Sequence, residues 1–173
     1  MEALNAVAPV WDFRGFLADD DRSAPLLAAR GAGVVGPVTL LHELDADYVI
    51  AIGDPAPRGR AAACVPPAGA RGGGGGAEER GRAAGRRPAT LVHPTAQVGS
   101  AVTLGPGAYL APAAVLTTNV TVGRHSIVNV AATLSHDVVV GDFATVGPGS
   151  HLAATCRSAT TPTSASGWWP VQV

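Results

Sequence analysis

The sequence predicts a small α/β layer followed by a parallel β-helix of hexapeptide repeats. Three observations carry that reading. Aliphatic residues recur every six positions from Val92 to Leu152. Before residue 58, short apolar segments alternate between helical and extended patterns. Between these regions lies a stretch rich in Arg, Gly, Ala and Pro that follows no apolar period.

The elements of residues 1–58 follow in order. Leu4 to Val10 is a short apolar helix candidate, and Phe13 to Leu17 alternates as a strand that stops at Asp19, Asp20 and Asp21. Pro25 to Arg30 has helical propensity, Gly33 to Gly36 is extended, and Thr39 to Leu44 is another short helix. Tyr48 to Ile52 is a continuous apolar run stopped by Gly53-Asp54-Pro55, the pattern of a strand buried on both faces. Strand, helix, strand order implies an α/β layer. Gly31 to Gly36 matches GxGxxG literally. The dinucleotide fingerprint needs a strand before it and a helix opening within it, and here that order is reversed. It is expected to be an ordinary loop.

Residues 59–91 are expected to be a linker. Five consecutive glycines, Gly72 to Gly76, carry the highest backbone entropy cost and bring no side chains to a core. Seven Arg against Glu78 and Glu79 make Arg58–Arg87 basic, yet the whole chain has net charge −1. No aromatic residue stands between Tyr48 and Tyr109 to stack on bases, so nucleic acid is not an expected partner.

Residues 92–157 hold the hexapeptide register. The aliphatic positions are Val92, Val98, Leu104, Leu110, Leu116, Val122, Val128, Leu134, Val140, Val146 and Leu152. Four residues after each comes a compact one, from Ala96 to Cys156, and Gly often follows the aliphatic directly, as at Gly99 and Gly123. A six-residue period fits neither a helix nor an ordinary strand and identifies a β-helix. Each hexapeptide supplies one face and one corner of a triangular prism, with the aliphatic side chain inside. Gly or Asn near a corner is expected to serve unusual φ. So short a prism needs caps or assembly. Residues 158–173 lose the period and are expected to be an unstructured tail.

Composition bounds the rest. Apolar residues are 47% and charged residues 14%, which excludes a disordered solvating chain. No apolar run reaches the length of a membrane span, and the start lacks the basic and apolar regions of a signal peptide. Cys64 and Cys156 form no CxxC pair, which favours a reducing, cytoplasmic setting.

The stretch from His93-Pro94-Thr95-Ala96 through Leu152 resembles the hexapeptide acyltransferases of the NeuD (sialic acid O-acetyltransferase) and PglD (bacillosamine N-acetyltransferase) group. Ile127-Val128-Asn129, Ser135-His136-Asp137, Gly141-Asp142-Phe143 and Gly147-Pro148-Gly149 carry the resemblance. Residues 11–58 are similar to that group's partial Rossmann-like domain of sugar-nucleotide-binding type, with Gly15-Phe16-Leu17 and Ala51-Ile52-Gly53-Asp54 followed by Arg58. The resemblance implies a left-handed β-helix, a homotrimer, and acetyl-CoA lying between neighbouring prisms. It implies a sugar or nucleotide-sugar acceptor of the sialic acid or amino-sugar type.

Site roles follow residue by residue. His136 matches the general base, and an imidazole on the prism surface suits proton abstraction near neutral pH. Asp137 is a candidate to orient it, against which stands the opposite facing of successive strand side chains. Asn129 matches a residue close to the same site. Asp19, Gly53 and Asp54 match positions near the nucleotide sugar. Thr145 and Ala154 stand where the family has a coenzyme-side histidine and a glycine, and Ser135 where it has an acidic residue. His125 and His151 are expected at the surface, and His42 in a structural or solvent-facing position.

Two alternatives stand beside this reading. The Arg/Gly/Ala stretch and the abrupt tail motivate a catalytically inactive fragment, truncated or frameshifted. A γ-class carbonic anhydrase uses a similar prism, but it pairs ligand histidines five apart, whereas His125, His136 and His151 are separated by 11 and 15. No metal is therefore expected.

Overall fold

The computed structural model describes residues 11–20, 24–65 and 87–158. The chain falls into two units, Met1–Asp47 with Cys64–Arg87, and Tyr48–Ala63 with Pro88–Val173. The expected helix at residues 4–10, most of the linker and the tail beyond residue 158 lie outside the described residues.

In the first unit, β1 (Phe16–Leu17) pairs in parallel with β2 (Val34–Gly36), and α1 (Ala24–Ala28) lies between them in sequence. A 3-10 helix, Val38–His42, follows β2. This β-α-β order is the expected α/β layer, and the GxGxxG segment forms a turn leading into β2 rather than opening a helix.

The second unit begins differently from expectation. Tyr48 makes only an isolated bridge to Pro88, and no strand runs over residues 49–52. The physical reason is local: the Ile52 and Gly53 carbonyls accept hydrogen bonds from the Arg58 guanidinium instead of a ladder. Helix α2 (Pro55–Cys64) then runs through the position where the linker was expected to start. Its start follows capping chemistry, with Asp54 Oδ1 accepting from Ala56 N at 3.0 Å and Pro55 in the first turn.

Twelve two-residue strands follow, β3 (Leu91–Val92), β4 (Gln97–Val98), β5 (Thr103–Leu104), β6 (Tyr109–Leu110), β7 (Val115–Leu116), β8 (Thr121–Val122), β9 (Ile127–Val128), β10 (Thr133–Leu134), β11 (Val139–Val140), β12 (Thr145–Val146), β13 (His151–Leu152) and β14 (Arg157–Ser158). They stack in parallel as three four-stranded sheets, β3-β6-β9-β12, β4-β7-β10-β13 and β5-β8-β11-β14. Thr133 pairs with Val115 below and His151 above, so the register repeats every third strand. The result is a left-handed parallel β-helix, a known departure from right-handed crossovers.

The aliphatic positions fill the prism: Leu110, Leu116, Val122, Val128, Leu134 and Val140 are at most 1% exposed. Ala108, Ala114, Val120, Ala132 and Val138 complete the core from the compact positions. The one polar residue among them, Ser126, donates to Gly141 O at 2.6 Å, so its burial leaves no orphaned hydroxyl. Val92 and Val98, where the stack begins, are 37% and 44% exposed.

The corners work differently from expectation. Positive φ falls mainly on non-glycine residues, including Ala101, Ala113, Asn119, His125, Ala131, Asp137, Phe143 and Thr155. Gly99, Gly105 and Gly123, after their aliphatics, serve close approach instead: a Cβ on Gly99 would overlap the carbonyl of Thr117 in the next coil. Coil stacking, rather than turn conformation, selects glycine there.

Candidate functional site

The prism has three edges, and the candidate residues distribute over them. His136 and Asp137 form the turn between β10 and β11. Because Asp137 adopts φ 62°, strict strand alternation does not apply there and its carboxylate turns towards its neighbour. His136 Nδ1 lies 2.7 Å from Asp137 Oδ2, with the two side chains 55% and 44% exposed. Asn119, at the same edge one coil below, donates from Nδ2 to Asp137 Oδ1. The hydrogen bond from His136, and then that from Asn119, holds the Asp137 carboxyl below its ordinary range. A carboxylate engaged on both oxygens fixes the imidazole with Nδ1 as donor and leaves Nε2 for a substrate proton.

Ala154 stacks on this edge one coil above, where Thr155 N donates to His136 O at 3.1 Å. Asn129 lies on a different edge, after β9, and its Nδ2 donates to Val146 O at 3.1 Å. Within one chain Asn129 and His136 therefore do not share a corner.

Thr145 on β12 joins Gly53 and Arg58. Its hydroxyl donates to Gly53 O at 3.1 Å and accepts from Arg58 Nη2. Asp54 caps α2. Asp19, in the first unit, accepts from Val38 N at 2.9 Å and so begins the 3-10 helix. These contacts give Asp19 and Asp54 structural work of their own.

Two residues to which the sequence assigned no site role, Arg58 and His125, dominate the third edge. Arg58 is fully buried although no carboxylate among the described residues is in hydrogen-bond contact with it. Its Nε donates to Ile52 O at 2.7 Å, and Nη1 donates to His125 O at 3.0 Å and Ala144 O at 3.1 Å. Nη2 donates to Gly53 O and Thr145 Oγ1. Every guanidinium N–H direction is thereby used, which suits a planar five-donor fork and no ammonium. Burial pulls its pKa down, partly offset by Asp54.

His125, expected at the surface, is instead buried between Tyr48 and Phe143, with ring centroids 6.1 and 5.5 Å away. Gly107 makes room for it, since a Cβ there would overlap the imidazole. Its Nδ1 is buried without a hydrogen-bond partner among the described residues. Burial first, then Arg124 and Arg58, lowers its pKa, against a smaller opposing effect of Asp142. The aromatic positions at 48 and 143 were the available signal, but nothing in the sequence brings them together without the fold.

No protein-family model matches this sequence, and no curated protein matches it. Solved structures do. The acetyltransferase domain of PglB from Neisseria gonorrhoeae FA1090, in complex with acetyl coenzyme A, aligns with a TM-score of 0.66 at 24% identity, over 89% of this chain and 67% of that one. WeeI from Acinetobacter baumannii AYE aligns with a TM-score of 0.58 at 20% identity, over 90% of this chain and 66% of that one.

The chain has the fold of the hexapeptide-repeat acetyltransferases. It spans about two thirds of the length of these two structures. Among the described residues, no group of three His, Cys, Asp or Glu could hold a metal ion, and no helix is long and apolar enough to cross a membrane.

Proposed function

We propose that this protein transfers an acetyl group from acetyl-CoA to an amine or hydroxyl of a sugar or nucleotide sugar. His136 is the general base, and Asp137 orients it. The His136–Asp137 pair, held on an exposed prism edge, is the observation that carries the reading. In this scheme His136 Nε2 accepts the acceptor's proton as its oxygen or nitrogen bonds to the acyl carbon. The carbon–sulfur bond then breaks, and the imidazolium returns the proton to the departing thiolate. Acetyl-CoA supplies the activated acyl group.

The small side chain of Ala154 leaves room for the coenzyme above His136. Thr145 is a weaker contact for it, because its one hydroxyl proton is committed to Gly53 O. Asn129 and His136 occupy different edges, so a site using both takes them from two chains. This supports a homotrimer with sites between prisms, and the coenzyme supports a cytoplasmic setting. The PglB domain, solved with acetyl coenzyme A, supports the donor assignment by analogy of fold.

The test is thiol release from acetyl-CoA across a panel of amino sugars, hydroxy sugars and their nucleotide conjugates, with mass spectrometry of the product. Acceptor-dependent release with acetyl on the sugar is expected. A folded protein that releases no thiol with any acceptor would overturn the assignment.

A further inference from the structure

The Asp137 carboxylate has two oxygens and two partners. Oδ2 meets His136 Nδ1 at 2.7 Å, and Oδ1 accepts from Asn119 Nδ2 in the coil below. Asp137 is 44% exposed and would otherwise be free to rotate into water. We propose that Asn119 is a positioning residue: its amide locks the Asp137 carboxylate so that His136 is held with Nδ1 protonated and Nε2 free. The inference rests on His136 being the base of the acetyl transfer above.

A simpler explanation is that Asn119 is present for its backbone, since it adopts φ 55° and Asn tolerates that region. The fold argues against this. Ala101 takes φ 54° and Thr155 takes φ 62° at the same edge, one coil below Asn119 and one above Asp137. The corner conformation therefore does not require Asn. The amide also has a defined orientation, because only Nδ2 can donate to a carboxylate that already accepts from His136. Asn119 lies one coil below Asp137, and the hydrogen bond from Nδ2 is its contact with the His136–Asp137 pair.

Asn119→Gly is the decisive variant, since it removes the amide while easing the positive φ. Nitrogen chemical shifts of the neutral His136 imidazole, measured at alkaline pH, report the tautomer without any substrate. The expected result is a mainly Nδ1–H ring in the natural protein and a shift towards Nε2–H in Asn119→Gly, with an unchanged melting temperature. Acetyl transfer should fall roughly 2- to 10-fold through kcat rather than KM, the scale of one exposed hydrogen bond. Asn119→Asp, which keeps the shape but places a second carboxylate on Asp137, should lose at least as much. An unaltered tautomer in Asn119→Gly would overturn the proposal even if the natural protein transfers acetyl groups. A shifted tautomer in a protein without transferase activity would uphold the positioning and refute the function instead.

Discussion

At the scale of single residues, His125 shows how burial turns a titratable group into a source of pH dependence. Its pKa is lowered in the folded state, so below about 6.5 the unfolded chain binds a proton that the folded chain refuses. Stability therefore falls as pH drops through the unfolded value, and the loss levels off only below the folded one. His125→Phe should flatten this dependence. Phe is tolerated at positive φ in this setting, as Phe143 with φ 58° in the next coil demonstrates. Urea midpoints measured from pH 8 to pH 5 check this: a steep decline in the natural protein and a shallow one in the variant are expected. Equal slopes would place the acid sensitivity elsewhere.

At the scale of elements, the Arg58 guanidinium and the Thr145 hydroxyl tie α2 and the loop before it to the third edge of the prism. Arg58→Lys keeps the charge but offers three N–H donors to acceptors that now receive from Nε, Nη1 and Nη2. A single ammonium nitrogen cannot stand where both Nε and Nη1 do, so the Ile52 or the His125 carbonyl loses its donor, at a cost of about 1–3 kcal/mol. Denaturant unfolding should register this loss, and hydrogen exchange should show α2 opening first. The same elements show what was legible beforehand. The six-residue period placed every strand from Val92 to Leu152, because each aliphatic must face the same narrow interior. His136 was legible as a candidate from its local motif; Asp137 was a candidate against which strand alternation spoke, and only its φ of 62° turns the carboxylate to the imidazole. Arg58 is among the residues that carry the resemblance, but its anchoring role was not legible, because its acceptors lie up to 87 residues away, at positions that only the coil register juxtaposes. The apolar run at 48–52 read as a strand because nothing in its composition reveals that the Arg58 guanidinium, six residues on, takes the Ile52 carbonyl.

At the scale of the whole molecule, Asn129 and His136 lie on two different edges, so the proposed site, which uses both, takes them from two chains. Light scattering should give a trimer. Asn129→Ala and His136→Ala proteins, each impaired alone, should recover part of the activity when mixed and allowed to exchange subunits, since mixed trimers contain some intact sites. No recovery despite proven exchange would mean that each site is built from a single chain.

The central claim is that the His136 imidazole removes the acceptor proton during acetyl transfer. The most direct measurement compares transfer rates of the natural protein and His136→Ala, with thermal unfolding of both as a control. A rate reduced by roughly 10²- to 10⁴-fold is expected, the usual contribution of general acid–base catalysis. Unfolding should be unchanged, because more than half of the side chain faces solvent. A variant that transfers acetyl groups as fast as the natural protein would contradict the account.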